Sequence, residues 1–153
     1  MKLSPQYIAG FVDGEGYLSI LKLRRKSARG GIWYQAVIKV SQREKDSKVL
    51  EYIQETYGGV MSGRRTYTDN SCPSLTLDIK NKGDIQKMLT DLLPYLIVKK
   101  NQAELLLEFL SYAGIRSRKP DKKYLIDNLK EKQSQLYEVA RKLNKRGTAA
   151  TTE

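Results

Sequence analysis

The chain contains 153 residues, with 28 Lys or Arg against 17 Asp or Glu, so its formal net charge is +11 at pH 7. This length suffices for one hydrophobic core and is too short for two domains of typical size. The positive charge favours a polyanionic partner such as nucleic acid. Because the chain has no histidine and a single cysteine, Cys72, we exclude histidine-based nucleases, zinc and serine–histidine hydrolases, cysteine zinc clusters and internal disulfides.

The first predicted element is a short helix that starts after Ser4, a good N-cap residue, and ends in two carboxylates among glycines. Gly10 and Gly14 are four residues apart, so they lie on one face of the helix and allow a second backbone to approach closely. Asp13 and Glu15 stand at the C-terminal end, where negative charge is unfavourable beside the helix dipole unless a cation is also present. This conflict points to a bound metal ion.

Two strands are predicted after this helix, Tyr17 to Lys26 and Ile32 to Gln42, joined by a flexible turn at residues 27–31. In the second strand, one set of alternating residues is predicted to be core: Tyr34, Ala36, Ile38 and Val40. The other set is predicted to be a polar and basic surface with an aromatic residue at its tip: Trp33, Gln35, Val37, Lys39 and Ser41.

The faces of the first strand are ambiguous. In strict alternation, the basic residues Lys22 and Arg24 share a face with the apolar residue Ile20, and Leu21 and Leu23 then lie on the opposite face. Either a β-bulge switches the faces after Ile20, or the two leucines make apolar contacts to thymine methyl groups.

The rest of the chain predicts a second hairpin and four more helices. They are expected at about Asp46 to Tyr57, stopped by Gly58 and Gly59, then strands Val60 to Thr68 and Pro73 to Lys80, and helices at about 84–93, 101–112 and 121–145. In the last helix an apolar stripe is predicted along Leu125, Leu129, Leu136, Val139 and Leu143. We expect one domain over residues 1–146 and a polar, disordered tail over residues 147–153.

Residues 7–16 read YIAGFVDGEG and resemble the LAGLIDADG motif of homing endonucleases. The element order resembles the αββαββα fold of that family, which implies an α+β protein with a four-stranded antiparallel curved sheet, helices on one face and added C-terminal helices. A chain with one motif is implied to act as a homodimer on a nearly palindromic target, with two motif helices packed at the two-fold axis. The implied interface residues are Tyr7, Ile8, Gly10, Phe11 and Gly14.

The resemblance also implies the catalytic residues. Glu15 takes the place of the acid that holds a divalent metal against DNA, Gln42 that of a solvent-organising amide, and Lys99 that of a cation near the scissile phosphate, with Lys100 as the alternate. Where the family commonly has an outer basic residue this chain has Asp46, and either Lys45 or Lys48 is a possible substitute.

Magnesium is the metal that suits this predicted site, because Mg²⁺ takes few protein ligands and keeps several waters or phosphate oxygens. The Glu15 carboxylate and the carbonyl of Gly14, which has no partner within the helix, are the predicted ligands. Mn²⁺ is a possible substitute, and Ca²⁺ is expected to bind without supporting cleavage. An EF-hand fails, because counting from Asp13 puts Leu18 where glycine is required and Arg24 where the bidentate Glu belongs.

The free face of the sheet is expected to follow the major groove of double-stranded DNA, where Arg suits guanine, Gln suits adenine, and lysines at the rim contact phosphates. The candidate DNA-binding residues are Ser19, Lys22, Arg24, Arg25, Lys26, Arg29, Trp33, Gln35, Lys39, Arg64, Arg65, Tyr67 and Thr76.

The leading hypothesis is therefore a Mg²⁺-dependent, site-specific endonuclease that makes a double-strand break in DNA. The alternative is an RNA maturase or splicing cofactor, for which intron RNA is the partner, and a non-cleaving DNA-binding module is a third possibility. No apolar run approaches the length of a membrane span and the N-terminus lacks a signal-peptide core, so we expect a soluble intracellular protein. An organelle and a prokaryotic or archaeal cytoplasm are equally compatible.

Overall fold

A computed structural model describes residues 2–24, 26, 31–64, 73–112 and 123–145. The elements follow the predicted order, and the structure adds a short 3₁₀ turn, Glu44–Asp46, that the sequence did not indicate. Over these residues the elements are α1 (Pro5–Glu15), β1 (Gly16–Arg24), β2 (Ile32–Arg43), α2 (Lys48–Tyr57), β3 (Val60–Arg64), β4 (Ser74–Ile79), α3 (Lys82–Leu92), α4 (Lys100–Tyr112) and α5 (Lys123–Leu143). The predicted tail lies outside the described residues.

Helix ends follow local signals in the sequence. The Ser4 side chain accepts a hydrogen bond from the Tyr7 backbone N–H at 3.3 Å, as an N-cap does. Helix α2 ends at the predicted glycine pair. Gly58 and Gly59 have φ of +77° and +105°, a backbone region that residues other than glycine rarely adopt. These signals therefore place the helix boundaries within about two residues of prediction.

The four strands form one antiparallel sheet in the order β1-β2-β4-β3, which confirms the two predicted hairpins. In β2, the predicted core set is confirmed, because Ala36, Ile38 and Val40 are buried and Tyr34 packs against them. Their partners on β1 and β4 include Leu18, Ile20, Leu77 and Ile79.

The helices supply the other half of this core. Helix α1 contributes Ile8, Ala9 and Val12, while α3 and α4 contribute larger groups such as Met88 and Phe109. In α5 the buried residues are Leu136 and Ala140, whereas Val139 and Leu143 are exposed, so the predicted stripe of α5 is wrong at those two positions. No helix in the described ranges is both long and apolar enough to cross a membrane.

The register of the first hairpin settles which residues of β1 share a face. Pairing runs without interruption from Gly16 opposite Val40 to Arg24 opposite Ile32, so no bulge switches the faces. Lys22 and Arg24 therefore lie on the face that carries the helices, and the Lys22 ammonium stands 5.8 Å from the Tyr137 ring of α5. Their assignment to the surface that enters the DNA groove is wrong.

We call the opposite side of the sheet the open face. By register it consists of Tyr17, Ser19, Leu21 and Leu23 of β1; Trp33, Gln35, Val37, Lys39, Ser41 and Arg43 of β2; Ser74, Thr76 and Asp78 of β4; and Val60, Ser62 and Arg64 of β3. Ser19 and Val37 pair in its middle and are only 3% and 0% exposed. Their predicted exposure is wrong, and burial removes Ser19 from the set of accessible DNA contacts.

The end of α5 covers the free edge of β1. The Asn144 side-chain amide donates a hydrogen bond to the Leu18 carbonyl at 2.9 Å, which satisfies a backbone group that the sheet leaves unpaired. Between this edge and the last turns of α5 lies a groove of 670 Å³ with several cations in its lining, among them Lys22, Arg141, Lys142 and Lys145.

Candidate active site

Helix α1 presents one unoccupied face. Tyr7, Gly10, Phe11 and Gly14 recur at spacings of three and four residues, which places them on one side of the helix. Tyr7 is 55% exposed, and a Cβ built on either glycine meets no atom within 4 Å. Among the described residues, no part of the chain therefore fills the space beside these two glycines. Ile8 lies on the other side, fully buried in the core, so its assignment to an interface with a second copy is wrong.

The Asp13 carboxylate joins the end of α1 to the start of α4. It accepts hydrogen bonds from the backbone N–H groups of Ile97 at 2.8 Å, Val98 at 3.2 Å and Lys99 at 2.9 Å. Partial burial opposes ionisation, but these three bonds and the nearby Lys99 charge together lower the pKa of Asp13 below its ordinary value. Asp13 thus holds the segment that precedes α4 against the end of α1.

Lys99 is brought to the same helix end. Its ammonium group donates a hydrogen bond to the Asp13 carbonyl oxygen, and its side chain is half-buried. The acids at the C-terminal end of α1 are stabilised by a nearby cation, and Lys99 provides part of that positive charge. Glu15 follows two residues later, is exposed, and has no ion pair or hydrogen bond through its carboxylate within the described residues.

Gln42 lies near the C-terminal end of α1 because of the pairing between β1 and β2. Gly16, the first residue of β1, pairs with Val40, so Gln42 lies two residues beyond it, on the side from which α1 arrives. Its side-chain oxygen accepts a hydrogen bond from the Arg43 backbone N–H at 2.8 Å. The three predicted catalytic residues, Glu15, Gln42 and Lys99, therefore gather around the C-terminal end of α1.

The residues considered for an outer basic role lie just after β2. Asp46 is in the 3₁₀ turn, and both Lys45 and Lys48 are exposed. The Lys48 ammonium lies 5.9 Å from the centre of the Tyr52 ring, whereas Lys45 belongs to the same turn as Asp46. Lys100, the alternate to Lys99, is exposed at the first position of α4.

Several predicted DNA-binding residues lie on the open face. Trp33 is 42% exposed and Gln35 is half-buried. The Thr76 hydroxyl shares a hydrogen bond of 2.8 Å with the Ser41 hydroxyl, and Arg64 pairs with Ser74, a residue of this face. Lys26 is exposed beyond the end of β1. Four further predictions fall outside the described residues: Arg25, Arg29, Arg65 and Tyr67.

Lys39 also lies on the open face, beside Asp78, an acid that was not among the predicted site residues. Its ammonium is 3.9 Å from the Asp78 carboxylate, and Lys80 is 3.6 Å from the other oxygen of the same group. Asp78 pairs with Lys39 across the strands, and this register, which alternation along β4 does not give, brings the two side chains together.

An apolar segment beside α1 was missed as well. Ile97 and Val98 are 86% and 70% exposed, and Asp13 holds their backbone N–H groups close to the end of α1. The sequence signal for them was weak, because an apolar pair after a proline is equally compatible with burial.

Comparison with known proteins assigns the chain to a family. Residues 8–107 match the family model described as LAGLIDADG endonuclease. The chain belongs to the LAGLIDADG endonuclease family. The match begins within the motif helix, spans all four strands and ends within α4, so it includes every predicted catalytic residue. A search of curated proteins gave no match.

Solved structures of homing endonucleases share the fold of this LAGLIDADG chain. The structure of I-CvuI in complex with its target, with 2 mM Ca, superposes with a TM-score of 0.73 at 21% identity, covering 97% of this chain and 85% of that one. The archaeal intron-encoded I-Vdi141I complexed with DNA gives a TM-score of 0.70 at 22% identity, covering 97% and 88%. I-SmaMI bound to an uncleaved DNA target with calcium gives 0.68 at 25% identity, covering 97% and 47%. These likenesses confirm the predicted αββαββα fold.

Proposed function

We propose that this LAGLIDADG protein is a homodimeric, site-specific homing endonuclease that makes a double-strand break in a long, nearly palindromic DNA target by metal-dependent hydrolysis. The observation that carries the proposal is the asymmetry of the two acids at the end of α1. Asp13 is fully engaged by backbone N–H groups and Lys99, whereas Glu15 is exposed and unpaired within the described residues. A free carboxylate at a negative helix end is the group that a cation would stabilise.

Homodimerisation is supported by the unoccupied face of α1. Gly10 and Gly14 leave that face flat, the exposed Tyr7 flanks them, and Phe11 is partly buried against the core beside them. Ile97 and Val98 extend this apolar area, since Asp13 holds them at the same end of the helix. A second copy related by a two-fold axis would bury both aromatic and aliphatic groups and bring a second Glu15 alongside the first.

The residues present fit a hard divalent cation. Over the described residues, no group of three or more His, Cys, Asp or Glu side chains is arranged to hold a metal. Glu15 and the Gly14 carbonyl offer oxygen ligands only, the type that Mg²⁺ prefers while it keeps several waters. Glu15 and Gly14 would therefore hold the ion, with Mn²⁺ as a substitute and Ca²⁺ as a non-activating occupant. When bound, the ion would supply an activated water and neutralise charge on the phosphate.

The chain's own residues then have separate roles. Lys99 would stabilise the charge that develops on the phosphate, from a position fixed by the Asp13 carbonyl. Gln42 would orient water from the end of β2. Trp33, Gln35, Lys39, Arg64 and Thr76 would face the groove of double-stranded DNA, while the cations of the α5 groove would contact phosphates at the edge of the sheet. The alternative of an RNA maturase with intron RNA as partner receives no support from the comparisons.

The test is a Mg²⁺ cleavage assay on a library of random-sequence duplexes, comparing the wild type with Glu15→Gln. We expect Glu15→Gln to retain DNA binding and to lose double-strand cleavage, because the amide cannot hold the cation. Glu51→Gln, an exposed acid of α2 with the same chemical change, is the matched control and should cleave as the wild type does. A Glu15→Gln protein that cuts at the wild-type rate would refute the assignment.

A further inference from the structure

We propose that Leu21, Leu23 and Trp33 form an apolar patch that recognises the methyl groups of thymines in a bound DNA duplex. The proposal rests on the proposed function and deepens it, because it names bases that the open face would select.

The three residues are neighbours on the open face. Leu23 pairs directly with Trp33, and Leu21, two residues before it on β1, pairs with Gln35. Neither the leucines nor Trp33 belong to the hydrophobic core cluster, whereas Leu18 and Ile20 of the same strand do. The leucines are half-buried and Trp33 is 42% exposed, so the patch is accessible on the surface of the sheet.

The chemistry of this end of the hairpin favours an apolar ligand. Lys22 and Arg24, the cations of the same stretch, face the helices, which leaves no charged group among the described open-face residues from position 21 to 24 and from 32 to 36. Major-groove base edges present hydrogen-bonding groups and a single apolar group, the C5-methyl of thymine. Leucine and tryptophan side chains that enter the groove therefore distinguish thymine from cytosine by its methyl group.

The pairing of Leu21 with Gln35 makes this preference sharper. Glutamine suits adenine through its N6 and N7 atoms, so one A·T pair can place its adenine against Gln35 and its thymine methyl against Leu21. Leu21 and Leu23 lie about 6.8 Å apart along the strand. Because each base step rises about 3.4 Å, the two leucines would read methyl groups about two base pairs apart in each half-site.

The experiment begins by selecting a duplex that the wild type retains from a random-sequence library, in a buffer with Ca²⁺ so that the duplex stays intact. Each thymine of that duplex is then replaced singly by uracil, which removes the methyl group and keeps base pairing. We expect about fourfold weaker binding at two positions per half-site, the loss typical of one buried methyl group, and no measurable loss at other thymines.

Variants of the protein assign each methyl to a side chain. In Leu21→Ala and in Leu23→Ala, one of the two uracil effects should disappear while the other remains. Gln86→Ala, an exposed position of α3 with no proposed role in DNA binding, is the control and should retain both effects. A wild type that binds uracil as well as thymine at every position would overturn the proposal, as would uracil effects that persist in both leucine variants. A library that yields no retained duplex would instead refute DNA binding itself.

Discussion

Replacing Gly10 by alanine separates the stability of the chain from that of the proposed dimer, because the two should change in opposite directions. A Cβ at this position meets no atom within 4 Å in the chain, so the methyl group fits without strain. Alanine restricts the unfolded backbone and favours the helix, and a glycine-to-alanine change within a helix stabilises by about 0.5–1 kcal/mol. The folded chain should therefore become more stable by about that amount.

The proposed interface should respond in the opposite way. Two helices that meet at glycines lie close together, and inserting methyl groups into a packed contact costs about 1–3 kcal/mol. A two-fold axis places each substitution in the interface twice, which gives about 2–6 kcal/mol in total. At about 1.4 kcal/mol for each factor of ten, the dimer should dissociate about 30-fold to 10⁴-fold more readily.

Sedimentation velocity across a range of concentrations measures the dimer, and thermal unfolding at the lowest concentration measures the chain. Gly14→Ala should behave like Gly10→Ala, since both glycines lie on the unoccupied face. Gln86→Ala, an exposed position of α3, should leave the dimer unchanged. If Gly10→Ala raises chain stability and the dimer dissociates no more readily than the wild type, the glycine face is not the interface.

Further expectations concern the residues around the end of α1. Asp13→Asn should lower the free energy of unfolding by about 1–2 kcal/mol at neutral pH, because the amide loses charge-assisted hydrogen bonds. Since the folded-state pKa of Asp13 is lowered from 3.8, this difference should be constant above that pH and shrink as pH falls through the folded value, as measured by urea unfolding at several pH values. Lys99→Met should reduce the single-turnover cleavage rate by at least tenfold with little change in DNA affinity, and equal loss of both would contradict its placement. Ile97→Asp should weaken the dimer at least tenfold in sedimentation while chain stability changes by less than about 0.5 kcal/mol.

The element order was predictable because each element carries its own periodicity. Alternation in β2 identified Ala36, Ile38 and Val40 as core, and the glycines after Tyr57 fixed the end of α2. The faces of β1 were not predictable, because leucines occur in both alternating sets. Leu18 belongs to one set, and Leu21 and Leu23 belong to the other. Only the pairing with β2 decides which of them meets the helices.

The catalytic residues were predictable only through the family motif. Asp13 and Lys99 are 86 residues apart in the chain, and no local spacing indicates that they meet. The interface residues show a different limit. Tyr7 and Ile8 are adjacent apolar residues on one helix, and both fit an apolar contact, but the helix turns Ile8 into its own core and leaves Tyr7 outside. Composition cannot make that choice, because it depends on where the sheet lies.

The geometry of Asp13 also explains why one helix can end in two acids. Three backbone N–H groups and the Lys99 ammonium compensate the Asp13 carboxylate and carbonyl, so this acid is stable without any ligand. The same contacts hold Lys99 at Asp13, two residues before Glu15 in the sequence. The Lys99 ammonium is therefore engaged by Asp13 and does not pair with Glu15. Among the described residues, Glu15 is thereby left as the acid at this helix end without a protein partner. Neutralising Asp13 would therefore be expected to impair the proposed catalysis through the position of Lys99, even though Asp13 would hold no metal itself.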